Sequence, residues 1–592
     1  MTGRRHRGGA VAVLAAAALV TACSSGPFVE VEDAYESTGP LTPDGQASFP
    51  DAAPDVDPGD VPGPPGDEVP QTTIDWGECG SYGIPDRVTS LTRGWECGRL
   101  VVDMDPYDAT PDLPDVDLAV TRHRATGQRL GTIVVNPGGP GAAGLPIAWS
   151  IRGGLPTSLL RGFDVVSWDP RGIGRSTPRA DCSGADSSDD DFIATCVEAT
   201  GPLSGFLSAP YSAADMEALR VALGEPELNY LGFSYGSILG ATYAERWPST
   251  VGAFVLDGVT DPDAGSIDGP FEDGFAVFAD DGRPEAFDRL VELCASTERC
   301  LPGSDPRAVI DELRTTVEDL PTDDFAGRPD VVDPSAFDLY IDTSLGYAGD
   351  WELLATALED ADAGDASALA AAIDDGASSP SDDDGGGQGP GVDVDNFSDA
   401  NFMIYCADFA TLITQWSFCD DMPVSAHPLQ AVEEIDVERP VLVIGTEFDP
   451  LTPGRHAPEF VDALVDATHI IWEGVGHTAF PGWTDCIDDA VAAQFLDDAL
   501  PADGTRCSMV EGVSDDTELA DSLFGFDPIE ATNWIADALA GRDDTRGDPD
   551  CLASGIVPVD PAAVDDRVVS HLVLDVTSPE AEVSLAAAAA RC

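Results

Sequence analysis

The segment 232–236 reads Gly-Phe-Ser-Tyr-Gly, which places Ser234 between two glycines with the spacing Gly-x-Ser-x-Gly. The apolar run 228–231 predicts a strand before it, and the small apolar residues 238–244 predict a buried helix after it. On a tight turn between a strand and a helix, the serine hydroxyl stands above the sheet, open to a base and a substrate. Ser234 is therefore the predicted nucleophile. The alternative is a surface Gly-Ser turn, which the apolar flanks disfavour.

A serine hydroxyl is a weak nucleophile, so it needs a base within hydrogen-bond reach and an acid that orients the base. The chain has seven histidines. His477 lies in the glycine-rich segment 473–478, after the last predicted core strand, where a loop can carry the imidazole over the sheet. We expect His477 to be the base, with His456 as the alternative.

The acid is expected between the serine and the histidine in chain order. Asp449 stands one loop beyond a strand that begins at Pro440, and it is the predicted acid. Glu447 is a nearby rival whose simpler interpretation is a loop charge facing solvent. Asp257 and Asp261, after an earlier strand, are weaker rivals, because an aspartate at such a place more often caps a turn or a helix.

Acyl transfer also needs hydrogen-bond donors for the developing oxyanion. The backbone N–H of Tyr235, directly after the serine, is one expected donor. The second is expected from Gly139 in the glycine loop 136–141, which follows a predicted strand. A glycine-rich loop can instead bind phosphate, but the chain contains no lysine, which excludes a P-loop. No cofactor is expected.

These residues need a scaffold on which several loops meet at one edge. Strands alternate with glycine loops and helices along the chain, which predicts an α/β fold with a mostly parallel sheet, whose functional groups gather at the carboxyl ends of the strands. The alternation stops after residue 262 and resumes near residue 440, so the intervening part is interpreted as a helical lid inserted into the fold. The strands are expected near residues 100–104, 116–120, 131–135, 163–168, 228–231, 251–257, 440–445 and 469–472.

The N-terminus is basic and then apolar, and it ends in Thr21-Ala22-Cys23. This pattern predicts a signal peptide, and the small residues before Cys23 resemble a bacterial lipobox, which implies cleavage before Cys23 and lipid attachment there. An ordinary secreted protein cleaved near Ala22 is the alternative. The predicted organisation is a signal peptide at 1–22, an acidic disordered tether at 23–73, the two halves of the core at 74–262 and 431–507, the lid at 263–430, and a C-terminal extension of unknown role at 508–592.

If Cys23 carries lipid, twelve of the 13 cysteines remain, and outside the cytoplasm we expect them to form disulfides. Pairing of sequence neighbours is one hypothesis, because connectivity does not follow from sequence. Zinc is disfavoured, since there is no Cys-x-x-Cys and no nearby histidine pair. The neighbour pairs are Cys79/Cys97, Cys182/Cys196, Cys294/Cys300, Cys406/Cys419, Cys486/Cys507 and Cys551/Cys592.

The 592-residue chain has a formal net charge of -79, and arginine supplies all of its permanently basic side chains. Such a surface repels nucleic acid and anionic lipid headgroups. We therefore expect no nucleic-acid partner, and contact with a membrane through the N-terminal lipid only. The charge indicates a solvated acidic surface and says nothing about the fold.

Six segments occur in one order: Asn-Pro-Gly-Gly-Pro-Gly, Asp-Pro-Arg-Gly-Ile-Gly-Arg-Ser, Gly-Phe-Ser-Tyr-Gly-Ser, Leu-Asp-Gly-Val-Thr-Asp-Pro, Gly-Thr-Glu-Phe-Asp-Pro-Leu-Thr-Pro and Gly-Val-Gly-His-Thr. As an ordered set they resemble the secreted tripeptidyl aminopeptidases of actinobacteria, with mycobacterial cell-envelope serine hydrolases and proline iminopeptidases as relatives. The resemblance covers about residues 75–507. It implies an α/β-hydrolase fold with a helical lid and a triad of Ser234, Asp449 and His477. Proline iminopeptidases usually have His before Gly-Gly-Pro-Gly, whereas this chain has Asn136-Pro137.

The resemblance implies an extracytoplasmic serine exopeptidase, an aminopeptidase of tripeptidyl or prolyl type, that acts on peptides through an acyl-enzyme on Ser234. Such an enzyme must hold a free ammonium group, and Asp408 lies in a segment similar to a lid segment of the family; a structural carboxylate is the alternative. A carboxylesterase or lipase uses the same triad, so it stays open, as does a non-catalytic lipoprotein.

Overall fold

The computed structural model describes most of the chain between residues 73 and 509. The described ranges are 73–79, 94–107, 113–152, 154–183, 192–260, 282–296, 300–301, 304–316, 337, 341, 344–346, 351–363, 369, 396–409, 419, 421–430, 432, 435–437, 439–481 and 484–509.

The centre of the fold is one sheet with the strand order β1-β2-β3-β5-β4-β6-β7-β8-β9-β10. The pairs from β5 through β10 are parallel, whereas β1, β2, β3 and β5 pair antiparallel with one another in that order. The strands are β1 Gly77–Glu78, β2 Trp95–Val102, β3 Val116–His123, β4 Gly131–Asn136, β5 Phe163–Trp168, β6 Leu228–Phe233, β7 Val251–Asp257, β8 Val441–Phe448, β9 Ala467–Val475 and β10 Thr505–Ser508.

Helices cover both faces of this sheet. The described α-helices are α1 Gly144–Ile151, α2 Thr157–Gly162, α3 Phe192–Thr200, α4 Ala209–Leu223, α5 Tyr235–Arg246, α6 Gly282–Ala295, α7 Pro306–Thr316, α8 Trp351–Asp362, α9 Phe397–Phe409, α10 His456–Asp462 and α11 Asp485–Asp497, with short 3₁₀ helices at Gly201–Phe206 and Pro248–Thr250.

Alternate side chains of the buried strands enter two separate apolar clusters, as expected when successive residues point to opposite faces. Ile133 and Val135 of β4 belong to one cluster, together with side chains of α2, α11 and the inserted helices α6, α7 and α8. Val134 belongs to the other, together with side chains of α4, α5, α10 and the inserted helix α9. The inserted region is therefore continuous with the hydrophobic core on both faces of the sheet.

The strand register places the ends of five neighbouring parallel strands side by side. Asn136 at the end of β4 pairs with Gly232 of β6, and Phe233 pairs with Asp257 at the end of β7. Phe448 at the end of β8 pairs with Val475 at the end of β9. The loops that follow these strands carry the glycine loop, Ser234, Asp449 and His477, so parallel pairing alone brings all four to one edge of the sheet.

The predicted α/β fold with a mostly parallel sheet is confirmed, and each predicted strand has a counterpart. The alternating pattern did not reveal the antiparallel edge, because direction along a sheet edge is set by pairing rather than by periodicity. It also did not reveal β10, which pairs parallel to β9. Helices α6 to α9 fall within the region predicted to be a helical lid, whose boundaries stay predictions.

The pairing of neighbouring cysteines is confirmed for five disulfides. They are Cys79–Cys97, Cys182–Cys196, Cys294–Cys300, Cys406–Cys419 and Cys486–Cys507. The sixth predicted pair, Cys551 and Cys592, lies outside the described residues, as do Cys23 and the predicted signal peptide. Within the described ranges, no helix combines the length and apolar character that a membrane crossing requires.

Candidate active site

Ser234 lies on a sharp turn between β6 and α5. Its backbone has φ 54° and ψ -126°, a conformation that is uncommon for any residue other than glycine. The turn is held from both sides: the Ser234 N–H donates to the Asp257 carbonyl at 2.8 Å, and the Ser234 carbonyl accepts from the N–H and the hydroxyl of Ser237 at 2.8 and 2.6 Å. Such strain persists only where the surroundings enforce it, and it is typical of functional sites.

The flanking glycines are required by close backbone contacts. A Cβ at Gly232 would lie 2.5 Å from the Gly236 carbonyl oxygen, and a Cβ at Gly236 would lie 2.9 Å from the backbone and side-chain oxygens of Asn136. Both distances are shorter than a carbon atom tolerates. The Gly-x-Ser-x-Gly spacing therefore follows from the tight packing of β6, α5 and the loop after β4.

The imidazole of His477 is paired with the carboxylate of Asp449. Nδ1 of His477 lies 3.0 Å from each carboxylate oxygen, and the Asp449 side chain is fully buried. The backbone N–H groups of Leu451 and Thr452 donate to Oδ1 at 2.8 and 2.9 Å, and that of Thr478 donates to Oδ2 at 3.2 Å. This geometry favours the tautomer in which Nδ1 carries a proton and Nε2 is free to accept one.

Thr452 adds a contact that the sequence analysis did not assign. Its hydroxyl donates to Oδ2 of Asp449 at 2.9 Å and lies 3.1 Å from Nδ1 of His477. The hydroxyl therefore touches both members of the pair and limits rotation of the carboxylate. The sequence did offer a signal for this role, because Thr452 lies three residues after Asp449 within the segment Gly-Thr-Glu-Phe-Asp-Pro-Leu-Thr-Pro.

Asp257 joins the histidine loop to the serine turn. Its backbone carbonyl accepts from Ser234, while its carboxylate accepts from the N–H groups of Ala479 at 3.0 and 3.1 Å and Phe480 at 2.7 Å. Next to it, a Cβ built on Gly258 would lie 3.5 Å from Cε1 of His477. The loop that carries the imidazole and the turn that carries the serine are thus both held at the end of β7.

Burial and the neighbouring carboxylates act in opposite directions on the pKa of His477. Burial disfavours the imidazolium, but the charge and hydrogen bond of Asp449, together with the charge of Asp257, outweigh it and raise the pKa above its ordinary value of 6.5. A base of this kind is neutral and competent only above its pKa. Asp257 is itself perturbed: burial raises its pKa from 3.8 to about 7, although the N–H groups of Phe480 and Ala479 counteract part of that rise.

The glycine loop after β4 lies directly against the start of α5. A Cβ at Gly138 would fall 2.8 Å from the backbone nitrogen of Tyr235. The N–H of Gly138 donates to Oδ1 of Asn136 at 2.9 Å, so this donor is already engaged. Of Gly138 and Gly139, Gly139 is therefore the remaining candidate for the second oxyanion donor, opposite the N–H of Tyr235. Asn136, which stands where proline iminopeptidases usually have His, thus organises the loop.

Asp408 lies in an environment that differs from the one expected of a residue that binds a substrate ammonium. It lies in α9 and is 1% exposed. One carboxylate oxygen accepts from the N–H of Ala209 at 2.8 Å, and the other accepts from the hydroxyl of Tyr235. Both oxygens are engaged inside the protein, so the geometry does not support direct contact with a substrate amine.

The rival residues lie elsewhere. His456 begins α10, where Nδ1 is 3.4 Å from Glu459. Glu447 pairs with Arg506 at 2.6 Å on the surface. Asp257 contacts backbone N–H groups of the histidine loop rather than the imidazole, and Asp261 lies outside the described residues.

The fold and the paired side chains define a class of enzyme, the serine hydrolases built on an α/β sheet. A family model described as the alpha/beta hydrolase fold matches residues 131–481, more than half of the chain, and the chain belongs to this family. A thermophilic esterase structure from Thermogutta terrifontis aligns over 64% of this chain and 91% of its own at 13% identity, with a TM-score of 0.28.

Particular relatives carry both protease and esterase names. The chain is similar to Serine protease Hip1 of Mycobacterium tuberculosis (27% identity, 73% of this chain, 91% of the relative). It is also similar to Carboxylesterase B of M. tuberculosis (31%, 75% and 92%) and to Tripeptidyl aminopeptidase of Streptomyces coelicolor (27%, 74% and 86%). The predicted resemblance to actinobacterial tripeptidyl aminopeptidases is thereby confirmed.

Proposed function

We propose that this protein is a serine exopeptidase, an aminopeptidase of tripeptidyl or prolyl type, that cleaves peptides through an acyl-enzyme on Ser234. The observation that carries the proposal is the buried His477–Asp449 pair, held beside the strained turn of Ser234. Similarity to a tripeptidyl aminopeptidase and to a serine protease supports a peptide as the substrate.

In the proposed mechanism, the hydroxyl of Ser234 attacks the scissile carbonyl while Nε2 of His477 takes its proton. Asp449 holds the imidazole in the required tautomer and stabilises the imidazolium. The N–H groups of Tyr235 and Gly139 bind the oxyanion of the tetrahedral intermediate. His477 then protonates the leaving amine as the C–N bond breaks. Water attacks the ester on Ser234 while His477 takes its proton, and His477 returns that proton to the serine oxygen as the acid product leaves.

The protein is proposed to act outside the cytoplasm, attached to the membrane by a lipid on Cys23. The five disulfides are consistent with an oxidising compartment. The net charge of -79 disfavours nucleic acid as a partner. Mass spectrometry of the mature N-terminus tests the anchor: an unmodified residue 23 would contradict it.

Labelling with a fluorophosphonate tests the nucleophile. The wild-type protein is expected to be labelled on Ser234, and Ser234→Ala is expected to abolish labelling and peptide hydrolysis together. Ser249→Ala is a control, because this exposed serine lies in the short helix Pro248–Thr250, outside the serine turn. Labelling that survives in Ser234→Ala would refute the proposal, and a protein that is never labelled would favour a non-catalytic lipoprotein.

A carboxylesterase is the second candidate, and the 31% identity to Carboxylesterase B favours it. Both reactions pass through the same acyl-enzyme, so the triad cannot separate them. Matched tripeptide anilides with a free and an acetylated N-terminus can. An aminopeptidase loses most of its kcat/KM on acetylation. Equal rates on both peptides, with faster hydrolysis of simple esters, would establish the esterase instead.

A further inference from the structure

Helix α9 comes from the inserted region, yet it contacts both segments that carry the proposed oxyanion donors. Asn401 lies against the glycine loop, and Asp408 lies against Tyr235. These two residues are seven positions apart, which is two helical turns, so they share one face of α9 and are separated by about 10.5 Å along its axis. One rigid element therefore touches two donors from separate parts of the chain.

The contact with the glycine loop is close. Nδ2 of Asn401 donates to the carbonyl of Pro140 at 2.8 Å. A Cβ at Gly141 would lie 2.8 Å from both the Phe397 carbonyl oxygen and the Asn401 nitrogen, and a Cβ at Gly139 would lie 3.4 Å from the ring of Phe397. The loop has no room to shift toward α9, and the Asn401 amide resists movement away from it.

The contact with the serine turn is a buried hydrogen bond. The Tyr235 side chain is 4% exposed, and its hydroxyl donates to Oδ2 of Asp408, while Oδ1 accepts from the first residue of α4. Because Tyr235 directly follows Ser234, fixing its side chain restricts rotation of the peptide whose N–H is the proposed donor. Asp408 thus joins α9, α4 and α5 at one point.

The start of α9 is also fixed. Asn396 donates to the carbonyls of Gly172 and Ala180 at 2.9 and 2.8 Å, and it accepts from the N–H of Gly174 at 2.9 Å. Cys406, one turn before the end of the helix, is bonded to Cys419. Bonds at both ends are what a stationary support requires.

We propose that α9 is a fixed support of the oxyanion hole rather than a moving part of a lid, and that Asn401 and Asp408 are positioning residues for Gly139 and Tyr235. The inference rests on the proposed serine mechanism. An oxyanion donor acts only when it already points at the position of the charge in the transition state. A displacement of about 1 Å can cost on the order of 100-fold in rate.

The test compares Asn401→Ala with Asn229→Ala, since both remove an asparagine that donates to a backbone carbonyl; Asn229 donates to Thr132 at 3.0 Å near the start of β6, at the opposite end of that strand from Ser234. Asn401→Ala is expected to lower kcat about 10- to 100-fold and to leave KM within about threefold, less than the roughly 10²–10³-fold that follows loss of a whole donor. A boronic acid that forms a tetrahedral adduct on serine should bind more weakly by the same factor. Asn229→Ala should change kcat and boronate affinity by less than about threefold, whatever its melting temperature.

Asp408 is tested with Asp408→Ala and with Asp408→Asn, whose amide can still accept from Ala209 and contact the Tyr235 hydroxyl. The alanine variant should match Asn401→Ala, and the asparagine variant should recover most of kcat. If Asp408→Ala does not fold, Tyr235→Phe removes the same hydrogen bond without shortening the side chain and should lower kcat in the same way.

Fluorophosphonate labelling of Ser234 separates two kinds of failure. If the wild-type protein is labelled while Asn401→Ala and Asp408→Ala keep wild-type kcat and boronate affinity, the inference about α9 is refuted and the serine mechanism stands. An equal loss of kcat in Asn229→Ala would also refute it, because the effect would then belong to a general loss of stability. If the wild-type protein is not labelled at Ser234, the serine mechanism and this inference are both refuted.

Discussion

Replacement of Asp257 by asparagine should change how the stability of the protein depends on pH. The carboxylate is fully buried between the serine turn and the histidine loop, and burial raises its pKa from 3.8 to about 7. Between these two pH values the folded protein keeps a proton that the unfolded chain has released. The folded state is therefore favoured at low pH, and the benefit is lost as the pH rises toward 7.

The magnitude follows from the pKa. Each pH unit over which the folded state alone holds the proton is worth 1.36 kcal/mol. From pH 5 to pH 8 the wild-type protein should lose about 3 kcal/mol of unfolding free energy through Asp257, because its folded state is half titrated at the pKa of about 7 and has released most of the proton by pH 8. Asp257→Asn has no proton to lose, and its amide oxygen can still accept from Ala479 and Phe480, so it should lack this part of the pH dependence.

Urea denaturation at pH 5, 6, 7 and 8, with the disulfides intact, measures the difference between the two proteins. Comparing variant with wild type at each pH cancels the titration of all other groups that Asp257 does not influence. Asp489→Asn, an exposed replacement in α11, should retain the wild-type pH dependence. Parallel curves for the wild type and Asp257→Asn would show that Asp257 is ionised throughout, which would refute the reasoning from burial.

Four further predictions concern the His477–Asp449 pair and the serine turn. Asp449→Asn should lower kcat about 10⁴-fold, as for the equivalent change in a well-characterised serine protease. It should also move the acid limb of the kcat/KM profile to lower pH, because the carboxylate raises the pKa of His477; an unmoved limb would contradict the assigned pair. In the wild type that limb should lie above pH 6.5, so a flat profile from pH 5 to 8 would count against His477 as the base. Thr452→Val, which loses one buried hydrogen bond to Asp449, should lower kcat roughly tenfold, and wild-type kinetics would show that the hydroxyl is not needed. Gly236→Ala should lower both the melting temperature and fluorophosphonate labelling, since its Cβ would meet Asn136, whereas an unchanged variant would mean that this turn has room to relax.

The sequence by itself determined the chemistry that is local in the chain. A serine between two glycines at the end of an apolar run can be interpreted without knowledge of distant contacts, because the strand, the turn and the helix lie within one segment of 17 residues, 228–244. The order of serine, aspartate and histidine, each one loop beyond a strand, was readable for the same reason. Parallel pairing of the strands is then sufficient to bring those loops to one edge of the sheet, as the register of β6, β7, β8 and β9 shows.

The tertiary structure decided the roles of the buried carboxylates. Asp408 and Tyr235 are 173 residues apart, and Asp257 and Ala479 are 222 residues apart. In a chain with 108 acidic residues, the local sequence does not distinguish a carboxylate that binds an amine from one that accepts hydrogen bonds from backbone N–H groups and a tyrosine hydroxyl. That difference arises from the partners that the fold supplies and from the exclusion of water around them, and both exist only once the sheet and the inserted helices are packed.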